Sequence, residues 1–135
     1  MGYVVIITGG SGSGKTAVSD HLQRRGAAVV DTDVIARSLT AAHGAAMPAV
    51  IERFGADVAA QDGSLDRDRM RALAFADPQA KQALEAILHP MIRDEAYRQA
   101  TTAIAPYVAL VVPLLVESKA YLDIADRVLV VDCPE

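Results

Sequence analysis

Hydrophobic positions along the chain follow two kinds of pattern. Four short apolar runs predict β-strands over residues 3–8, 27–30, 107–112 and 127–132, and the second of these strands is expected to be fully buried. Between the second and third runs, apolar residues of the segment 38–105 recur at helical spacing. Because strands that alternate with helices form parallel sheets, the chain is expected to be an α/β protein. Its parallel sheet should carry helices on both faces and a helical insertion after the second strand.

The clearest helical pattern lies inside the insertion and begins at Asp77-Pro78. Aspartate caps the first amides of a helix, and proline at the first helical position has no amide to leave unpaired. Apolar residues then recur at i, i+3, i+4, i+7 and i+8, which predicts one wide buried face: Leu84, Ile87, Leu88, Met91 and Ile92. Pro90 falls within this pattern, where it removes a backbone donor and crowds the preceding turn, so we expect a kink or a break there.

A glycine-rich segment joins the first strand to the helix that follows it. It matches G-x-x-x-x-G-K-[ST] at every fixed position and reads Gly9-Gly10-Ser11-Gly12-Ser13-Gly14-Lys15-Thr16. Glycine allows backbone amides to approach a phosphate chain closely, and the helix N-terminus adds a positive dipole. We expect Lys15 to reach the β- and γ-phosphates of ATP and the Thr16 hydroxyl to bind Mg²⁺. An ordinary Gly/Ser-rich turn is the alternative, but both flanks of the segment match the phosphate-binding motif.

Two aspartates follow the second strand directly. Asp31 and Asp33 are separated by one residue, so on extended backbone their side chains point the same way. Ligands of parallel sheets bind beyond the carboxyl ends of the strands, which places both acids at the edge that carries the glycine loop. One of them could therefore orient and deprotonate an acceptor hydroxyl in a phosphoryl transfer. The alternative role for Asp33 is the N-cap of a helix that begins at Val34.

Two more residues invite a structural as well as a functional interpretation. Glu117 follows the third strand and its terminating Pro113, so it should lie at the same edge. There it could hold a metal-bound water or an acceptor group, or it could be a solvated acid at a helix start. His89, next to Pro90, is interpreted from the residues alone as a partly buried histidine.

Composition narrows the class of protein further. The 135 residues are 52% hydrophobic and suit one domain with a substantial core, and the net charge of −4 offers no basic surface for nucleic acid or an anionic membrane. The single cysteine, Cys133, forms no internal disulfide, which is typical of a reducing cytoplasm. The N-terminus has no signal-peptide pattern, and the longest apolar run, 108–116, is too short to span a bilayer. We therefore expect a soluble cytoplasmic protein.

Five segments together resemble the bacterial dephospho-CoA kinases. They are 8–16 (TGGSGSGKT), 31–37 (DTDVIAR), 88–93 (LHPMIR), 112–117 (VPLLVE) and 127–132 (RVLVVD). The first motif is shared by many P-loop proteins, whereas the other four, in this order and spacing, are far more specific. The resemblance covers the whole chain. It implies a P-loop transferase that moves the ATP γ-phosphoryl group to the ribose 3′-hydroxyl of dephospho-CoA, the last step of coenzyme A biosynthesis, with ATP and Mg²⁺ as cofactors and no nucleic-acid or membrane partner.

The resemblance also implies roles for individual residues. It makes Asp33 the base on the 3′-hydroxyl, with Lys15 as the other catalytic residue and Thr16 on the metal. The nucleotide phosphates would contact Gly10, Ser11, Gly12, Ser13, Gly14, Lys15, Thr16 and Ala17. The acceptor would contact Thr8, Asp33, Arg37, His89, Arg93, Leu115 and Glu117. Ser11 departs from the family pattern, in which a branched apolar residue is common. The nucleotide-binding core would be 1–37 with 106–135, and the acceptor-binding insertion 38–105.

Members of this family continue past the fourth strand into a lid helix, whose arginines cover the phosphates, and then a closing strand and helix. The sequence stops at Glu135, before these elements, so we expect a fragment of a dephospho-CoA kinase with little turnover. Cationic side chains on the transferred phosphoryl group are worth about 10³ to 10⁵ in rate. The oligomeric state is not predicted.

Two alternative functions remain. One is another P-loop kinase, for nucleoside monophosphates or sugar acids, although such a kinase is not expected to combine His89-Pro90 with the 113–117 motif. The other is an ATP-binding module without catalysis, which only the expected absence of a lid favours.

Overall fold

The computed structural model describes residues 3–9, 15–112, 121 and 123–130. The chain divides into two compact units. One comprises Met1–Asp33 with Arg93–Glu135, and the other is Val34–Ile92. These boundaries fall four residues before the start of the segment 38–105 and thirteen residues before its end.

The first unit is built on a parallel sheet. Its strands are β1 (Tyr3–Thr8), β2 (Ala28–Asp31), β3 (Tyr107–Val111) and β4 (Arg127–Val130). Within the described residues they form one four-stranded sheet in the order β2-β3-β1-β4, and every neighbouring pair is parallel. The α/β class and the parallel sheet predicted from the sequence are confirmed. Because all strands run the same way, the ends of β1, β2 and β3 meet at one edge.

The central strands β1 and β3 are largely buried on both faces of the sheet, as a parallel sheet requires. The edge strands are less buried: all four residues of β4 are exposed, and Val30 is the one buried residue of β2, so the expectation that the second strand is fully buried is wrong. Helix α1 (Lys15–Arg24) covers one face, where its partly buried apolar residues pack against a cluster formed by Ile7, Ala27, Ala109 and Val111. Successive residues of a strand point to opposite faces, so the other face carries the alternate positions. Those positions are fully buried too: Val4, Ile6, Val108 and Leu110.

Gly26 lies in the turn that connects α1 to β2. Its φ of 101° lies in the left-handed region, and its amide donates to the Gln23 carbonyl at 3.0 Å. Glycine suits this position after a helix, because a residue with a Cβ rarely adopts that conformation.

The second unit is helical. It contains most of α2 (Thr32–Leu39), then α3 (Met47–Phe54), a 3₁₀ turn (Ala56–Val58), α4 (Arg67–Ala76) and the first part of α5 (Pro78–Thr102). Its core is formed by small and medium apolar side chains: Ala46, Val50, Val58, Met70 and Ala80. The apolar face predicted for the long helix contributes Leu84, Ile87, Leu88 and Met91, which pack against this core.

The long helix starts as predicted but does not break. Asp77 Oδ1 accepts the Gln79 amide at 3.0 Å, directly before Pro78 begins α5. The helix then continues through Pro90 to Thr102. Nothing in the part of the chain described here, α5 included, combines the length and apolar character of a membrane-spanning helix.

Two aspartates in the segment before β4 form hydrogen bonds to other parts of the same unit. The Val4 amide donates to Asp126 Oδ2 at 2.7 Å, and the Asp126 amide donates back to the Val4 carbonyl at 2.8 Å. The Tyr97 hydroxyl of α5 donates to Asp123 Oδ1 at 2.6 Å. Partial burial of Tyr97 raises the pKa of its phenol, and the bond to Asp123 raises it further.

Candidate active site

Lys15 stands at the junction of β1 and α1. It is the first residue of α1, and its Nζ donates a hydrogen bond to the Gly9 carbonyl at 2.6 Å. The Lys15 side chain therefore reaches back to Gly9, the residue that directly follows β1. A cation at a helix N-terminus, next to a carbonyl that it can exchange for a ligand, suits the binding of a phosphate group.

Thr8, the last residue of β1, carries a hydroxyl with an unusual environment. The residue is 1% exposed, and Oγ1 has no hydrogen-bond partner among the described residues. A buried hydroxyl without a partner costs about 1–3 kcal/mol. Its position beside the glycine segment fits a residue that bonds to a polar ligand.

The structure separates the roles of the two aspartates after β2. Helix α2 begins at Thr32, and Asp31 Oδ1 accepts the backbone N–H of Asp33 at 2.9 Å. Asp31 is therefore the residue that caps α2, and the alternative in which Asp33 caps a helix starting at Val34 is wrong. Asp33 is exposed in the first turn, where the helix dipole favours a negative charge.

Thr32, between these two acids, makes a contact that the sequence did not indicate. Its hydroxyl is buried and donates to the Val111 carbonyl of β3 at 2.9 Å. The two residues are 79 positions apart in the chain. No local pattern carries such a signal, because the acceptor is a main-chain carbonyl that any residue would supply.

The remaining predicted acceptor residues lie on α2 and α5. Arg37 and His89 belong to the helical unit, and both are exposed. The interpretation of His89 as a partly buried histidine is therefore wrong. Arg93 is also exposed; it lies one turn further along α5, in the part of that helix that belongs to the sheet unit.

Several predicted contacts fall outside the described residues. Ala17 is exposed in the first turn of α1, and the backbone of Thr16 belongs to the same turn, but the Thr16 side chain is not among the described parts. The other predicted positions outside the described ranges are Gly10, Ser11, Gly12, Ser13, Gly14, Leu115 and Glu117.

The side chains described also bear on how a metal would be held. Within residues 3–9, 15–112, 121 and 123–130, no group of three or more His, Cys, Asp or Glu side chains is arranged to hold a metal ion. Mg²⁺ in phosphoryl-transfer sites does not need such a group, because it takes most of its ligands from water and the substrate phosphates. A magnesium ion held mainly by a nucleotide fits the residues present.

A comparison with protein families identifies the family to which the chain belongs. The model of the dephospho-CoA kinase family matches residues 3–135. The chain belongs to the dephospho-CoA kinase family.

Curated relatives of high sequence identity are also dephospho-CoA kinases. A dephospho-CoA kinase of Aromatoleum aromaticum is 57% identical over 132 residues, which are 98% of this chain and 64% of the relative. One of Dechloromonas aromatica is 56% identical over 133 residues, again 98% and 64%. The chain thus spans 64% of the length of these two curated relatives.

Solved structures share the fold of this dephospho-CoA kinase family member. A protein of Thermus thermophilus, 31% identical, superposes with a TM-score of 0.68 over 98% of this chain and 66% of the other. A dephospho-CoA kinase from Campylobacter jejuni gives a TM-score of 0.76 over 96% of this chain and 66% of the other. At 22% identity the latter supports the fold alone, which is that of the P-loop NTPases.

Proposed function

We propose that this chain binds ATP and dephospho-CoA and transfers the γ-phosphoryl group to the ribose 3′-hydroxyl, giving ADP and coenzyme A. The observation that carries the proposal is the family match over residues 3–135. The arrangement of Lys15, Thr8 and Asp33 in one compact unit supports it, since donor binding and acceptor activation both need residues at the carboxyl ends of the strands.

In the proposed reaction, the 3′-oxygen forms a bond to the γ-phosphorus. The bond between that phosphorus and the oxygen bridging to the β-phosphate breaks, and its electron pair leaves with ADP. The hydroxyl proton passes to the Asp33 carboxylate, and solvent then takes it up. Because the transition state of such transfers is loose, positioning and charge contribute more than the strength of the base.

Nucleotide binding is assigned to the junction of β1 and α1. The Lys15 ammonium would exchange its bond to the Gly9 carbonyl for the β- and γ-phosphate oxygens. Backbone amides of 10–14, with those of Thr16 and Ala17 at the start of α1, would wrap the phosphates. The Thr16 hydroxyl would hold Mg²⁺, which neutralises charge on the phosphates when bound.

The acceptor contacts are proposed from the family resemblance. Dephospho-CoA carries a pyrophosphate, so exposed cationic groups suit it, and Arg37 and Arg93 are exposed arginines. Thr8, His89, Leu115 and Glu117 complete the proposed acceptor set, and the helical segment 38–105 would supply much of the surface. The proposal includes a cytoplasmic location, where ATP is available to a biosynthetic kinase.

Ligand-induced stabilisation tests which donor and acceptor the chain accepts. A ligand that binds the folded state raises its stability by about 2.7 kcal/mol at one hundred times its Kd. We expect Mg-ATP and dephospho-CoA to raise the melting temperature, and shikimate, gluconate and nucleoside monophosphates to leave it unchanged.

Substitution of the loop lysine supplies the matched control for that titration. Lys15→Ala should abolish the response to Mg-ATP, whereas Lys81→Ala, which changes an exposed lysine of α5, should retain it. Stabilisation by Mg-ATP together with a different acceptor would keep the kinase and refute its substrate. A full Mg-ATP response in Lys15→Ala would refute the nucleotide site.

A further inference from the structure

The chain passes from β2 to α2 without an intervening loop. Strand β2 ends at Asp31, and α2 begins at Thr32. The place of Asp33 is therefore set by how the first turn of α2 is attached to the sheet. Any tilt of that turn would move the Asp33 carboxylate, since the residue is only the second of the helix.

The attachment comes from the Thr32 hydroxyl. Thr32 is 6% exposed, and its Oγ1 donates to the Val111 carbonyl at 2.9 Å. The β2–β3 ladder pairs Asp31 with Val111 as its last register position. The hydroxyl thus adds one side-chain hydrogen bond to the ladder just where the main chain leaves the strand and turns into the helix.

The acceptor of this bond is well fixed. Strand β3 lies between β2 and β1, and Val111 is paired with Ile7 on its other side. The next amide, that of Val112, donates to the Ile7 carbonyl at 2.9 Å. Through strand β3, the Thr32 hydrogen bond therefore links the start of α2 to the end of β1. The glycine-rich segment follows β1 in the chain.

Helix capping does not account for the hydroxyl of Thr32. The first turn of α2 is already capped by the carboxylate of Asp31, which accepts the Asp33 amide at 2.9 Å. A buried hydroxyl must be paired to avoid a desolvation cost, and a side chain without one would fill the same space at no such risk. The specific consequence of the hydroxyl is a fixed direction for the first turn.

We propose that Thr32 is a positioning residue, whose hydroxyl bond to the Val111 carbonyl holds Asp33 at the place where it meets the acceptor hydroxyl. The proposal rests on the proposed function in its kinetic part only. A misplacement of about 1 Å at a reacting group costs about 100-fold in rate. Loss of the Thr32 bond should consequently lower kcat while leaving nucleotide affinity nearly unchanged.

The test compares Thr32→Val, which removes the hydroxyl, with Thr32→Ser, which keeps it. In a protein that carries this chain at the full length of its curated relatives, we expect single-turnover transfer to fall about 10- to 100-fold in Thr32→Val and to stay within about threefold of the parent in Thr32→Ser. The KM for ATP should change by less than about threefold in both, because the nucleotide contacts lie elsewhere. Thr40→Val is the matched control, since Thr40 is 4% exposed and its hydroxyl donates to the Ala36 carbonyl at 2.9 Å.

Hydrogen exchange tests the positioning role of Thr32 independently of enzymatic activity. Hydrogen exchange of the Asp33 and Val34 amides should be about tenfold faster in Thr32→Val than in the parent or in Thr32→Ser, because the first turn of α2 opens more often. Unchanged exchange at these amides would overturn the proposal, as would a kcat loss equal to that of Thr40→Val. A parent that phosphorylates no acceptor would refute the proposed function instead, and exchange would still decide the role of Thr32.

Discussion

At the scale of single residues, the hydroxyl of Thr8 stands out because its burial is unfavourable in the absence of a ligand. Thr8 ends β1 at 1% exposure, and no described residue pairs with its Oγ1. Proteins retain such a group where strain or desolvation serves a site. Stability and function should therefore respond to its removal in opposite directions.

Thr8→Val is the substitution that separates the two effects. Replacing an unpaired buried hydroxyl by a methyl group should stabilise the ligand-free chain by about 1 kcal/mol, measured by urea unfolding. The same change should weaken binding of dephospho-CoA, measured by calorimetry. The reference is Thr32→Val, which removes a paired hydroxyl and should destabilise the chain. A Thr8→Val variant that is less stable than the parent would show that Oγ1 has a partner.

The sequence predicted where the two acids after β2 lie, but not which of them caps the helix. The alternative with Asp33 as the cap placed the helix start at Val34, whereas α2 begins two residues earlier, at Thr32. The expectation that both acids lie on extended backbone is therefore wrong, because Asp33 lies in the helix. Threonine carries little helical signal of its own, so the first turn was missed. The bond from Thr32 to Val111 could not be predicted at all, because it depends on which strand lies beside β2.

At the scale of elements, helix α5 carries a bidentate ion pair. Arg98 donates to the two carboxylate oxygens of Glu95 at 2.7 and 2.6 Å, and Gln99 adds a third bond at 2.9 Å. These hydrogen bonds, that of Arg98 first, lower the pKa of the Glu95 carboxyl from 4.5 to about 2. The pair links residues of adjacent turns and so supports the helix locally.

Because the pKa of Glu95 is lowered, the contribution of this ion pair to the free energy of unfolding depends on pH. A carboxyl with a lowered folded pKa contributes stability above its unfolded value of 4.5 and loses that contribution as pH falls towards about 2. Glu95→Gln should therefore cost less than about 1 kcal/mol at pH 7, because the pair is exposed, and progressively less between pH 4.5 and 2. Urea unfolding from pH 7 to 3, with Glu85→Gln as the reference, measures this. A cost that grows as pH falls would contradict the assignment.

Helix starts were predictable where a cap residue marks them. Asp77 with Pro78 opens α5, as expected. Pro90 was predicted to kink or break α5; the helix continues through it, so the break is wrong and the kink stays a prediction. A proline removes only one donor, and a helix whose apolar face packs against a core, as that of Leu84 and Ile87 does, tolerates the loss.

At the scale of the whole molecule, the sequence predicted the class of the sheet but not its strand order. Strand β3 is inserted between β2 and β1, although more than seventy residues separate it from β2 in the chain. The strands are nearly continuous apolar runs without alternation, so periodicity gives no indication of which strands are neighbours. The register that aligns Ile7, Val111 and Asp31 across three strands is a product of that order.

The division of the chain also belongs to this scale. Lys15 and Asp33 lie in the sheet unit, Arg37 and His89 in the helical unit. The sequence marks the helical segment through its periodicity, but the boundary on α5 falls inside one continuous helix, at Ile92 and Arg93. No change of composition marks a boundary of that kind, since an uninterrupted helix needs no linker.

The central claim is that Asp33 activates the 3′-hydroxyl of dephospho-CoA for attack on ATP. Its most direct test is single-turnover transfer of γ-³²P from Mg-ATP to dephospho-CoA by a protein that carries this chain at the full length of its curated relatives, by Asp33→Asn and by Asp68→Asn. Asp68 is the matched control, because it too is the second residue of a helix capped by an aspartate, in that case Asp66. We predict radioactive coenzyme A from the parent and from Asp68→Asn, and a loss of up to about 10²- to 10⁴-fold in Asp33→Asn with ATP affinity retained. Transfer by Asp33→Asn at the parent rate would contradict the claim.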